Sequence, residues 1–332
     1  MRQLSELYNT RFEDDVVDDG DSQTSDEKPL PIENVAANHL DPQLHSSVTY
    51  WVHNDNQVET QLFLLKNLTL QLPSTSVTSE EIQRYVRTAY LDTSDWKVYA
   101  SLVPENANQA VLHGKAPQVR WEENSKNRDV LVVIPQDGGY LNVPLKRKFV
   151  STFLSSEQLD FSTPEWKEMV PASDNWMKTA QDARKYIQSS SLQPSISPLS
   201  IDSLTEAIQV SAQRTVFSKI SKNKSSETVS KVYATMDRNI CSTRLPSHID
   251  FLALDGEEDL VDLEGYKNVF PHSLLTIRWE GDSPRWLEEL NGSPLIERVN
   301  SFSMFVHAAA SLVPSQLPKL PYWVCTSHPF PL

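Results

Sequence analysis

Short segments in which apolar or β-branched residues alternate with polar residues recur along the chain, and this period of two is typical of half-buried strands. The strands that the pattern predicts are residues 48–53, 85–91, 117–122, 130–134, 207–217, 231–241 and 272–280. Several of these segments combine a polar face with an apolar face. A closed antiparallel β-barrel with a polar interior and helices packed outside produces that combination, so we predict an α+β fold that is mainly β.

Apolar residues spaced three or four apart predict helices between and after these strands. The predicted helices are residues 55–68, a short one within 92–98, then 145–155, 163–187, 283–291 and 300–313. In the first of them Val58, Leu62, Leu65 and Leu68 recur at helical spacing, which indicates an amphipathic helix with these residues on its apolar face.

Composition divides the chain into one domain and two tails. Residues 1–46 are acidic and polar, so we predict a disordered tail or linker there, with an acidic interaction segment as the alternative. Residues 47–325 form the predicted domain, and the Ser/Pro-rich stretch at 189–200 predicts a mobile loop within it. Residues 326–332 are predicted to be a second tail.

Charge and composition exclude several classes of function. The chain has 44 acidic and 30 basic residues and a net charge of −14, which argues against a nucleic-acid-binding protein because phosphates require a basic face. It contains 8 glycines and no glycine-rich phosphate loop. Cys241 and Cys325 lack metal-ligand spacing, so we predict no metal site and no cofactor. No apolar run approaches the roughly 20 residues of a membrane helix, so no membrane segment is predicted.

Several longer strings carry a family resemblance. They are TYWVHNDN at 49–56, AYLDTSDWKVY at 89–99, QVRW at 118–121, PLKRKFVSTFL at 144–154, QRTVF at 213–217, the ungapped block at 274–313, and LPYWV at 320–324. Together these strings resemble the cytosolic central domain of the vacuolar transporter chaperone (VTC) proteins of fungi and other lower eukaryotes. The resemblance covers about residues 47–325.

The resemblance implies a triphosphate-tunnel fold, which is a closed antiparallel β-barrel whose lumen binds phosphate chains. It implies that a catalytic relative makes inorganic polyphosphate from ATP with a divalent metal. It also implies other VTC-complex subunits as partners, polyphosphate or phosphate as a ligand, and a location in the cytoplasm or at the cytosolic face of the vacuolar membrane.

The basic and metal-binding positions of the polymerising relatives are mostly neutral in this sequence. The resemblance implies lysine, arginine or glutamate at positions that are here Thr49, Gln118, Gln209, Tyr233, Thr276, Ser301 and Met304. Arg214 matches an arginine of the family, but it has the opposite strand parity to Gln209, so we expect it to point out of the lumen. Removing one such charged group commonly costs about 3 kcal/mol of transition-state stabilisation. We therefore predict a pseudoenzyme with no catalytic residues and no metal ligands.

Two arginines keep the strand parity of the family's lumen cations. Arg120 and Arg278 are the candidate anion-binding residues, as a weak site for phosphate, polyphosphate or an inositol phosphate. The alternative is that each pairs with a carboxylate such as Glu122, Asp237 or Glu280, because buried arginines are normally paired.

The function predicted from these observations is that of a non-catalytic subunit or regulator of polyphosphate synthesis, which docks on partner subunits. Two alternatives stay open at this point. One is an active ATP-dependent polymerase or tunnel phosphohydrolase that compensating residues sustain. The other is an anion-binding module unrelated to polyphosphate.

Overall fold

In a computed structural model of the protein, strands from most parts of the chain form one antiparallel sheet. The structure describes residues 46–72, 84–103, 116–122, 129–136, 139–154, 168, 174–189, 204–222, 229–245 and 267–326. Apart from boundary residues, the predicted tails and the predicted Ser/Pro-rich loop lie outside the described residues.

Eleven strands form this sheet in the described part of the chain. They are β1 Ser46–Val52, β2 Thr69–Leu70, β3 Arg84–Thr93, β4 Gln118–Glu122, β5 Asp129–Gln136, β6 Gly139–Lys146, β7 Leu204–Lys222, β8 Val229–Leu245, β9 Lys267–Val269, β10 Ser273–Glu280 and β11 Ile296–Arg298. The strand order is β11-β1-β10-β8-β7-β3-β4-β5-β6, while β2 pairs with β7 and β9 pairs with β8. The seven strands that the sequence predicts are all present.

The sheet is open, so the closed barrel expected from the sequence is not observed. Its two ends are β6 and β11, which do not pair with each other in the described residues. Tyr140 of β6 and Ser47 of β1 nevertheless line the same cavity, so the sheet wraps around a concave inner face. Both end strands are poor partners, because β11 has three residues and β6 contains Pro144, which has no backbone N–H to donate.

Strand β6 corrects the predicted helix at 145–155. Leu145 and Lys146 end the strand, a 3₁₀ turn occupies Arg147–Phe149, and an α-helix follows. A hairpin signal was present in the sequence, because Asp-Gly separates the paired residues Gln136 and Gly139. Pro135 lies inside strand β5, which continues for one further residue to Gln136.

Seven α-helices accompany the sheet in the described residues. They are α1 Gln57–Asn67, α2 Lys97–Leu102, α3 Val150–Leu154, α4 Asp174–Ser189, α5 Trp286–Asn291, α6 Met304–Leu312 and α7 Tyr322–Thr326. Helix α6 begins later than predicted because the Ser303 hydroxyl caps it, accepting a hydrogen bond from the backbone N–H of Val306 at 3.4 Å.

The helices cover the sheet in three apolar clusters. Helices α1 and α5 pack on the outer face of β1, β8 and β10, with Leu64 and Leu290 fully buried there. Helices α3 and α4 pack on the outer face of β4, β5 and β6, around Phe153 and Ala183. Helices α2 and α6 instead cover one end of the inner face, where Phe305 is buried. The third cluster therefore borders the concave face and positions the site described below.

The packed face of α1 agrees with the predicted one in part, because Leu65 and Leu68 pack on the sheet as expected. Val58 and Leu62 are 54% and 41% exposed, whereas Thr60 and Leu64 are fully buried. Two apolar stripes overlap on this helix, and the short connections to β1 and β2 select the one that contains Leu64. Periodicity alone cannot weigh that tertiary constraint.

Candidate functional site

A cavity of about 670 Å³ lies on the concave face of the sheet. Its walls are inward-facing residues of β1, β3, β4, β6, β7, β8 and β10, together with the start of α6. The volume is within the range of about 300–1,000 Å³ that small-molecule sites usually have.

Arg120 of β4 lies inside this cavity, and two of its hydrogen bonds go to neutral side chains. The residue is 8% exposed. Its Nε donates a hydrogen bond to Thr88 Oγ1 at 3.2 Å, and Nη2 donates to Gln118 Oε1 at 3.4 Å. Thr88 stands directly opposite Arg120 in the strand register, so β3 and β4 together fix the direction of the guanidinium.

Arg278 of β10 lines the same cavity, beside a row of threonines. Its cross-strand neighbours are Ser47 on β1 and Tyr233 on β8. Two residues earlier on the same face, Thr276 lies between Thr49 and Thr235. The structure therefore places Arg120 and Arg278 in one cavity, while two positions where the resemblance implies charge, Thr49 and Thr276, carry hydroxyl groups.

Arg214 also lines the cavity, and the expectation that it points outward is wrong. Its Nε and Nη2 donate to the two carboxylate oxygens of Asp237, each at 2.7 Å. The side chains of this pair are 10% and 13% exposed. The inward face of β7 carries the small apolar residues Val210 and Ala212, which pack near α6, and Arg214 continues that face.

Sequence reasoning missed a second ion pair on the inward face. Arg84 of β3 pairs with Glu122 of β4 at 3.3 Å and lies opposite Arg214 in the strand register. The alternation of Arg84 with Val86 and Thr88 along β3 was the available signal.

The carboxylates considered as alternative partners of Arg120 and Arg278 form ion pairs with other cations. Glu122 pairs with Arg84, Asp237 pairs with Arg214, and Glu280 pairs with Lys231 at 3.0 Å. Among the described lining residues, three arginines and one carboxylate are charged, so the cavity wall has an excess of positive charge. An anion is the ligand that such a wall attracts.

The part of the cavity wall beside α6 is apolar and adjoins an aromatic cluster. His307 of α6 is 6% exposed in this cluster, and its ring lies 4.8 Å from that of Phe270. Burial, aided by the charge of His272, lowers the pKa of His307 to about 4. The imidazole is therefore neutral at pH 7 and belongs to the core.

The sequence of this chain matches a known domain family. Residues 45–313 match the model of the VTC domain, which is most of the chain. The chain belongs to the VTC domain family. The resemblance found in the sequence is therefore confirmed.

Two curated relatives of this VTC domain are subunits of one complex in Schizosaccharomyces pombe. Subunit 4 of the vacuolar transporter chaperone complex is 22% identical over 320 residues, which cover 89% of this chain and 41% of that protein. Subunit 2 of the same complex is 25% identical over 307 residues, which cover 83% and 38%. The chain thus spans about two fifths of the length of these relatives.

Two further observations concern the described part of this VTC domain. It contains no group of three or more histidine, cysteine, aspartate or glutamate side chains that could hold a metal ion. None of its helices is long and apolar enough to cross a bilayer. In the described residues the candidate site combines arginines and the carboxylate of Asp237 with hydroxyl groups and an apolar wall.

Proposed function

We propose that this chain is a non-catalytic VTC-domain subunit or regulator of polyphosphate synthesis, with an anion-binding cavity. The supporting observation is the composition of the inward face. Thr49, Gln118, Thr276 and Met304 are neutral residues that line the cavity, at positions where the resemblance implies charged ones.

Phosphoryl transfer depends on positioned cations around the phosphates and on a metal held by carboxylates. The cavity retains Arg120, Arg214 and Arg278, and Arg214 forms an ion pair with Asp237. Losing several stabilising groups together, at about 3 kcal/mol each, lowers turnover by many orders of magnitude. What such a cavity keeps is the ability to attract an anion weakly.

Assembly with other VTC-complex subunits is the second part of the proposal. The two relatives named above carry the names of complex subunits, and this chain aligns with a segment of each. Partner subunits would hold the domain at the cytosolic face of the vacuolar membrane.

The catalytic part is tested with purified chain, ATP and Mn²⁺ or Mg²⁺. We expect no polyphosphate and no phosphate release above background. Arg285→Ala is a matched control, because Arg285 is exposed and outside the cavity lining. Turnover that Arg120→Ala abolishes and Arg285→Ala preserves would overturn the non-catalytic assignment.

The partner part is tested by co-expression with the subunit-4-like protein of the same organism. We expect the two chains to co-elute in size-exclusion chromatography and to survive a wash at moderate salt. Separate elution at micromolar concentration would favour a stand-alone anion-binding module instead.

A further inference from the structure

Two apolar side chains of helix α1 point away from the sheet. Val58 and Leu62 are 54% and 41% exposed, whereas Thr60 and Leu64, on the packed side of the helix, are fully buried. Residues three or four apart are neighbours on a helix surface, so Val58 and Leu62 form one exposed row, which Leu65 continues in a partly buried position. An apolar row at this spacing is the pattern by which one helix packs along another.

Two opposite charges flank this row. Glu59 and Lys66 are both exposed and lie seven residues apart, which is close to two helical turns, so they project from the same side of the row. Neither forms an ion pair with another described residue. Leu62 lies close to the midpoint between the two charges. The outer face of α1 therefore carries an acidic group before Leu62 and a basic group at a similar distance after it.

This arrangement is complementary to itself. If a second copy of α1 lies antiparallel on the first, a two-fold axis beside Leu62 relates the two helices. Each residue before the axis on one helix then stands beside the residue at the same distance after the axis on the other. Glu59 of each copy meets Lys66 of the other, and the apolar rows pack between these two ion pairs. A parallel arrangement forms neither pair, because Glu59 and Lys66 then lie at different heights.

We propose that the outer face of α1 is a self-association surface, on which a second copy of this chain packs its own α1 in the antiparallel direction. The surface lies on the outer side of the sheet, so the inference is independent of anion binding in the cavity. A single helix of 11 residues offers less contact than the roughly 1,200–2,000 Å² of stable complexes. The dimer should therefore be reversible at micromolar concentrations.

The first test is analytical ultracentrifugation of the whole chain from low micromolar to several hundred micromolar concentration. We expect the average mass to rise with concentration toward that of two chains. Leu62→Glu places two like charges beside the axis and should weaken the dimer by about tenfold or more. Leu320→Glu is the matched control, because Leu320 is 39% exposed and lies outside α1, and it should leave the association unchanged. A thermal melt of each variant checks that it is folded.

Charge reversal tests the antiparallel register. Glu59→Lys alone and Lys66→Glu alone each place like charges at both ends of the dimer, so each should weaken it by about fivefold. An equimolar mixture of these two single variants should associate more tightly than either variant alone, because opposite charges then meet at both ends. The double variant Glu59→Lys/Lys66→Glu should recover the affinity of the wild type. High salt should reduce all of these differences.

The outcomes identify what occupies the surface. A wild-type chain that stays monomeric at every concentration would refute the second copy as the occupant. If Leu62→Glu then also abolished co-elution with the subunit-4-like protein, the outer face of α1 would belong to that partner instead. A dimer that Leu62→Glu does not weaken would lie on another surface. A mixture that associates no more tightly than the single variants would refute the antiparallel arrangement.

Discussion

His307 makes the folding stability of this domain depend on pH in a way that the structure specifies. Its ring lies in the aromatic cluster with Phe270 and Phe302, and its Nδ1 is buried with no hydrogen-bond partner among the described residues. Burial is the main reason that its pKa falls to about 4, and the charge of His272 adds to the effect. In the unfolded chain the same imidazole has a pKa of about 6.5.

The direction in which pH changes the free energy of unfolding follows from the two pKa values. Above pH 6.5 His307 is neutral in both states and has no effect on the free energy of unfolding. As the pH falls from 6.5 toward 4, the unfolded chain takes up a proton that the folded chain refuses, so the folded state loses stability. A difference of about 2.5 between the pKa values, at about 1.36 kcal/mol for each unit, corresponds to a loss of about 3 kcal/mol.

Urea unfolding followed by tryptophan fluorescence between pH 7.5 and 4.5 measures this loss. His307→Leu removes the titrating group, so most of the loss should disappear from the variant, whatever its stability at pH 7.5. His272, whose pKa burial also lowers, remains and retains a smaller part of the pH dependence. His53→Gln is the matched control, because the side chain of His53 is 60% exposed.

A pH-independent difference in stability between wild type and His307→Leu would refute the reasoning. It would mean that the imidazole is accessible to protons in the folded state and that the packing of α6 differs from the structure described.

Two further predictions concern buried carboxylates. Asp92→Ala should lower the free energy of unfolding by about 2 kcal/mol, because Asp92 accepts hydrogen bonds from the backbone N–H groups of Val98 and Tyr99 at 2.9 and 2.8 Å. Urea unfolding measures this loss, and an unchanged free energy of unfolding would show that α2 forms without this cap. Asp237→Asn should lower the free energy of unfolding by roughly 3 kcal/mol because it breaks the ion pair with Arg214. The same variant should bind polyphosphate more tightly, because it removes a negative charge from the cavity lining. Unchanged affinity by calorimetry would show that this part of the cavity does not contact the anion.

Period-two patterns were sufficient to predict the seven central strands, because their inner and outer faces differ in polarity. They were insufficient for the other four strands. β2, β9 and β11 have two or three residues each, which is too short for a pattern, and the last two residues of β6 had been included in the predicted helix at 145–155. Closure of a barrel is a property of two distant strands, so no local pattern reports it.

The two predicted site arginines do lie in one cavity, because strand parity is a reliable guide once the inward residue of a strand is known. For β7 the residue that was expected to point inward was the wrong one. The resemblance implies a lumen position for Gln209, yet this residue is 4% exposed and Val210 and Ala212 line the cavity instead. The pairing of Glu122 with Arg84 escaped notice because an ion pair between two strands depends on their register, which a single sequence does not contain.

The central claim is that this cavity binds anions through Arg120 and Arg278 without catalysing their transfer. Calorimetric titration of polyphosphate into wild type, the Arg120→Ala/Arg278→Ala double variant and Arg285→Ala tests it most directly. We expect wild type and Arg285→Ala to bind in the high micromolar to millimolar range, equivalent to roughly 4–6 kcal/mol, with weaker binding at higher salt. The double variant should show at least a tenfold loss of affinity. Identical isotherms for all three proteins, or no heat from any of them, would contradict the claim and leave the two arginines with a structural role alone.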